Sequence, residues 1–172
     1  MELLAERLIR DIPDFPKEGI VFKDITPVLQ HPDAFREIVA HMLAYAREQE
    51  ADAIVGIESR GFMFGAPVAL ELSVPFVPIR KLGKLPGETI HVEYALEYGT
   101  NTVEMHKDSF SRGDRVVVVD DLLATGGTAA AAADLIERGG GVVAGMVFMV
   151  ELSFLEGRNA LAEYDVVSLI EY

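Results

Sequence analysis

The sequence has 172 residues, half of them hydrophobic and a quarter charged, a profile that suits one globular domain with a substantial core. It contains no cysteine, which excludes disulfides, thiol nucleophiles and thiolate metal sites. A formal net charge of −13 argues against a nucleic-acid partner, whose phosphates recruit basic surfaces, but leaves room for a small phosphorylated ligand met by a few local cations.

In chain order, "MELLAERLIRDI" interleaves charges with leucines and predicts an amphipathic helix rather than a signal peptide. No apolar run approaches the roughly 20 residues that a membrane helix needs, so a cytoplasmic protein is expected. Phe35, Ile38, Val39, Met42 and Leu43 fall at helical spacing within residues 33–47, and Asp33 after Pro32 marks the start. "ADAIVGIES" predicts a short buried strand from Ala53 to Ile57, "GFMFGAPVALEL" a helix, and "VPFVPIRK" another strand. The polar stretch "KLGKLPGETIHVEYALEYGTNTVEMHKD" then carries turn signals at Gly83, Pro86-Gly87 and Gly99. Its alternation predicts a two-stranded excursion, and a connection of that length inside a compact domain is often a functional lid.

The strand "RVVVVDD", the loop "LLATGG" and the helix "TAAAAADLIERG" follow, and the strands "VVAGMVFMVEL" and "DVVSLIEY" close the chain. Strands alternating with helices imply parallel βαβ units whose strands are apolar throughout, as "VVVV" is. No repeat, linker or break in composition divides residues 1–172. The expected fold is therefore a single α/β domain with an open, mostly parallel sheet flanked by helices.

Ligands of open α/β sheets bind beyond the carboxyl ends of the strands. Asp120 and Asp121 stand at that end of "RVVVV", and "ATGGT" then leads into a helix. Gly126 and Gly127 let the backbone approach an anion, the helix N-terminus favours negative charge, and the hydroxyls of Thr125 and Thr128 add donors. A P-loop would need a lysine before Thr128, and a dinucleotide fingerprint would need Gly-x-Gly-x-x-Gly; neither is present. The loop suits one terminal phosphate. Ionised carboxylates only accept hydrogen bonds, so the aspartates suit a diol, such as ribose hydroxyls, better than a phosphate. Arg60, Arg80, Lys81 and Lys84 supply cations against the acidic background, and read alone they also fit a solvated lid edge. His31, His41, His91 and His106 show no metal-ligand spacing.

"VVVVDDLLATGGT" resembles the signature of the type I phosphoribosyltransferases. "FPKEGIVFKDITPVL", "ESRGFMFGAPVA", "VPIRKLGKLPGETI", "YALEYGT" and "VELSFLEGR" extend the resemblance from about Ile12 to the C-terminus and are similar to the adenine-specific members. The resemblance implies a reaction in which adenine displaces pyrophosphate from 5-phosphoribosyl-1-pyrophosphate (PRPP) to give AMP. It implies that Ala124, Thr125, Gly126, Gly127 and Thr128 hold the 5′-phosphate and that Asp120 and Asp121 face the ribose. Ser59, Arg60, Gly61, Arg80, Lys81 and Lys84 would meet the pyrophosphate. Val21, Phe22 and Lys23 would meet the adenine, within an N-terminal hood over about residues 1–35. Many family members carry arginine where this chain has Lys23.

Glu97, alone an ordinary surface carboxylate, matches the family's acid/base residue in a flexible lid over about residues 84–106. Mg²⁺ would ride on PRPP and touch the protein mostly through water, with no metal bound directly by protein side chains. A homodimer is implied by the resemblance alone. The alternatives are a phosphoribosyltransferase for hypoxanthine/guanine, xanthine or orotate, or a non-catalytic PRPP-sensing regulator.

Overall fold

The computed structural model describes residues 3–58, 60–95 and 99–172. Its contacts divide the chain into two compact units, Met1–His41 and Met42–Tyr172.

The first unit holds a two-stranded antiparallel sheet, β1 (Arg10–Pro13) and β2 (Val21–Asp24), followed by the short helix α1 (Thr26–Gln30). Cross-strand charges support the pairing. Arg10 faces Asp24 with Nη2 2.6 Å from Oδ2, and Asp11 faces Lys23 with Nζ 2.6 Å from Oδ1. Hydrogen bonds from the Thr26 side chain and backbone, and from Arg10, bring the Asp24 pKa down to about 2. Over the described residues 3–12 the expected N-terminal amphipathic helix does not form. Leu4–Leu8 make a turn, and the chain then enters β1. A segment this short barely repays helix nucleation, and pairing with β2 claims its final residues.

Helix α2 (Pro32–Glu48) runs from the first unit into the second. The second unit is built on one seven-stranded sheet of order β5-β6-β4-β3-β7-β8-β9. β3 (Ala53–Ile57), β4 (Phe76–Lys81), β7 (Arg115–Leu123), β8 (Val142–Glu151) and β9 (Val166–Glu171) are parallel. β5 (Thr89–Ala95) and β6 (Thr100–His106) form the expected antiparallel excursion. It is joined to the sheet where Arg80 pairs with Glu104 and Lys81 with Val103.

Successive residues of β3 and β7 point to opposite faces, and both faces are buried, which explains their unbroken apolar runs. Val55, Ile57, Val116 and Val118 share one core with Ala129, Ala132, Leu135 and Ile136 of α4 (Gly127–Arg138). Helix α3 (Gly61–Leu72) packs on β3 and β7. Gly65 brings it down onto β3, since a Cβ there would lie 3.4 Å from Gly56 Cα and 2.9 Å from the Phe76 ring. The carboxyl ends of β3 and β7 and the starts of α3 and α4 thus meet along one sheet edge.

Candidate active site

At that edge lies a cavity of about 310 Å³. Its wall includes Ala124 to Thr128, Asp120, Asp121, Arg60 and Lys81, all singled out from the sequence. β7 carries the aspartates past the buried valines, the loop turns at Gly126 with φ 82°, and α4 starts at Gly127. The left-handed backbone at Gly126 suits glycine. A side chain there would also overlap the Gly157 carbonyl oxygen. The N–H groups at the start of α4, which have no partner within the helix, favour an anion at this end of the cavity.

The aspartates are held in different ways. Asp121 is 5% exposed, and its Oδ2 lies 2.9 Å from Arg60 Nε. Asp120 accepts the Asp121 N–H on Oδ1 at 2.9 Å. Gly61 leaves space for it, because a Cβ there would come within 2.6 Å of that same oxygen. Burial and then the neighbouring Asp121 charge push the Asp120 pKa well up. Burial also raises that of Asp121, against the pull of Arg60. The pair gains from a partner that donates hydrogen bonds, and a diol does so.

Arg80 and Lys84 do not belong to the described lining. Arg80 instead ties two loops together. Its Nη2 is 2.7 Å from Glu58 Oε1, and its Nη1 donates to the Lys84 carbonyl at 3.0 Å. Glu58 also accepts the Lys81 N–H at 2.9 Å, and its pKa is lowered chiefly by Arg80. The Lys84 and Leu85 N–H groups donate to Glu104 Oε1 at 2.8 and 2.9 Å. Burial alone would raise the pKa of Glu104, but these donors hold it below its ordinary value. Ser59 and Glu97 lie outside the described residues. Val21, Phe22 and Lys23 form β2 of the first unit, where the Phe22 ring meets Phe15 edge-on at 5.2 Å.

Sequence reasoning missed Glu58, Tyr94, Asn101 and Phe148 in the cavity wall. Tyr94 and Asn101 are register partners on β5 and β6, so they share a face of the excursion. The Thr128 hydroxyl donates to the Tyr94 hydroxyl at 3.1 Å, which joins the excursion to the start of α4. The alternation of "HVEYA" was the available signal, but it does not say which face meets a ligand.

This arrangement sets the start of a helix and a buried carboxylate pair side by side, with Arg60 and Lys81 in the same wall. Residues 25–164 match the family model described as a phosphoribosyl transferase domain, and that sets the class. The adenine phosphoribosyltransferase of Roseiflexus is 58% identical over 165 residues, covering 96% of each chain. That of Kosmotoga olearia is 56% identical over 164 residues, covering 95% of this chain and 96% of its own. The crystal structure of the Thermoanaerobacter pseudethanolicus adenine phosphoribosyltransferase superposes with a TM-score of 0.94 at 53% identity, covering 98% of each chain. The Saccharomyces cerevisiae enzyme, complexed with an imino-altritol bisphosphate and adenine, gives 0.92 at 41% identity over 96% of each. The chain belongs to the adenine phosphoribosyltransferase family.

Proposed function

We propose that the chain transfers the 5-phosphoribosyl group of PRPP to adenine, giving AMP and pyrophosphate in purine salvage. The observation that carries this reading is the single cavity in which the α4 N-terminus adjoins the Asp120–Asp121 pair, with Arg60 and Lys81 in the same wall. The 5′-phosphate takes the N–H groups of residues 124–128 and the Thr125 and Thr128 hydroxyls. Asp120 and Asp121 accept hydrogen bonds from the ribose diol. Arg60, Gly61 and Lys81 meet the pyrophosphate, and from the sequence so do Ser59, Arg80 and Lys84. The roles of Val21, Phe22 and Lys23 toward adenine, of residues 1–35 as a hood and of the whole chain as one functional domain rest on the sequence resemblance.

In the reaction, the bond from the anomeric carbon to the pyrophosphate oxygen breaks and its electron pair leaves with pyrophosphate. A ring nitrogen of adenine bonds to that carbon, and adenine loses its imidazole proton. Positive charge builds on the ribose, as in glycosyl transfer generally. The Asp120–Asp121 carboxylates hold the hydroxyls beside that charge, while Arg60 and Lys81, in the same wall, meet the negative charge of the leaving group. Glu97, in the segment that resembles the family's lid, is assigned the imidazole proton, and a lid over residues 84–106 would exclude water during the transfer.

No group of three His, Cys, Asp or Glu side chains forms a metal cage among the described residues. Asp120 and Asp121 nevertheless provide hard oxygen donors at the ribose end. That donor set fits a Mg²⁺ carried largely by substrate phosphates and water, which, when bound, would supply Lewis-acid stabilisation of the leaving pyrophosphate. The reading places the chain in the cytoplasm, where a highly charged, membrane-impermeant substrate is met. It also makes the chain a homodimer, supported by Met63, Ala66 and Leu70, which are exposed along one stripe of α3.

The test offers adenine, guanine, hypoxanthine, xanthine and orotate separately with PRPP and Mg²⁺ and follows nucleotide formation. AMP from adenine alone is expected. Release of no pyrophosphate with any base would overturn the reading in favour of a PRPP-sensing regulator.

A further inference from the structure

We infer that Arg158, Glu151 and Ser168 form a clamp, outside the cavity, that sets the shape of the phosphate loop. The inference rests on the reading of Ala124 to Thr128 as the 5′-phosphate site and extends it to residues that line no part of the cavity.

Glu151 ends β8 and is 3% exposed. A carboxylate so deeply placed needs partners, and three donor atoms from two side chains surround it. Arg158 Nε lies 2.9 and 3.0 Å from its two oxygens. Arg158 Nη2 is 2.8 Å from Oε2, and Ser168 Oγ on β9 donates to the same oxygen at 2.6 Å. Arg158 Nη1 also donates to the Val166 carbonyl at 2.8 Å. Burial would raise the Glu151 pKa, yet Arg158 and Ser168 hold it below its ordinary value. One guanidinium therefore fixes the 3₁₀ turn Gly157–Leu161 to the ends of both β8 and β9.

That turn is the outer wall of the phosphate loop. A side chain on Gly157 would overlap the Ala124 carbonyl oxygen and come within 3.0 Å of Leu123 Cδ1. A side chain on Gly126 would overlap the Gly157 carbonyl oxygen. The two backbones meet with no side chain between them, so any movement of the turn is passed directly to the loop. The Leu152 N–H adds a hydrogen bond to the Leu123 carbonyl at 2.9 Å. The turn is entered through Glu156 at φ 54°, a left-handed backbone that non-glycine residues adopt only when held there. Arg158 is thus a positioning residue that acts on phosphate through Gly157.

The measurement compares the affinities of AMP and adenosine by calorimetry on the full-length protein, since their ratio isolates what the 5′-phosphate contributes. Arg158→Lys keeps a charge but loses the planar fork. It is expected to lower the AMP-to-adenosine preference by about 10-fold, less than the roughly 10²-fold that a full 1 Å misplacement can cost. The KM for PRPP should rise while the KM for adenine stays put. Ser168→Ala, a milder change that removes one oxygen, should move the same ratio in the same direction. An unchanged ratio in both variants, with only a lower melting temperature, would overturn the clamp and leave it a fold-stabilising contact. A wild-type protein that binds adenosine as well as AMP would instead overturn the phosphate-site reading itself.

Discussion

Asp120 and Asp121 sit where their charges are costly to the empty protein. Folding raises both carboxyl pKa values above the ordinary value of about 3.9. Their contribution to stability is therefore fully present below that value and is lost as pH rises through the folded-state values. Asp120→Asn removes one ionisation and keeps the Oδ1 acceptor for the Asp121 N–H. At pH 7 the unligated variant is expected to melt at a higher temperature than the parent, and the gap should close as pH falls toward about 4. AMP affinity should drop by roughly 10- to 100-fold, the value of a charge-assisted hydrogen bond to the ribose. Thermal melts across pH, paired with AMP titrations, check both halves. A variant that melts lower at pH 7 and binds AMP normally would contradict the assignment. The aspartates and the loop after them were legible because they are consecutive in one strand–turn–helix. Tyr94, Asn101 and Glu58 were not, because strand register and turns bring them to the cavity from distant segments. The pin that Arg80 makes between Glu58 and the Lys84 carbonyl was likewise invisible: the sequence offers a cation but not what it touches.

Among elements, α3 shows most plainly that local pattern and environment differ. It is apolar nearly all round, which ordinarily marks a helix covered on every side. Phe64, Val68 and Ala69 are buried, whereas Met63 and Leu70 are 45% and 77% exposed, with exposed Ala66 between them. These three lie at helical spacing on one stripe. A second copy of the chain is the proposed cover. Leu70→Glu would place a charge in that interface, so sedimentation should find the parent at twice the 18.8 kDa chain mass and the variant at the single mass. A parent that sediments as a single chain would end the dimer proposal. The elements from α2 to β9 followed the sequence within a few residues because their periodicity and bounding glycines agree. The N-terminal segment did not, since Arg10–Pro13 was drawn into a hairpin with Val21–Asp24. That pairing depends on partners across a loop, which no local period records.

For the whole molecule, the notable balance is between a net charge of −13 and a site proposed for a highly anionic substrate. The seven-stranded sheet resolves it by position. It gathers helix N-termini, Arg60 and Lys81 at one edge, where field and backbone donors act locally and distant surface carboxylates are screened by salt. On the proposed function, the start of α4 holds the phosphate and Asp120 with Asp121 holds the ribose of one bound nucleotide. The most direct measurement is a crystal structure of the protein with AMP. The phosphate should lie within hydrogen-bonding distance of the Gly126, Gly127 and Thr128 N–H groups, and both ribose hydroxyls should face the aspartates. AMP bound elsewhere, or turned so that its phosphate leaves the loop, would contradict both assignments.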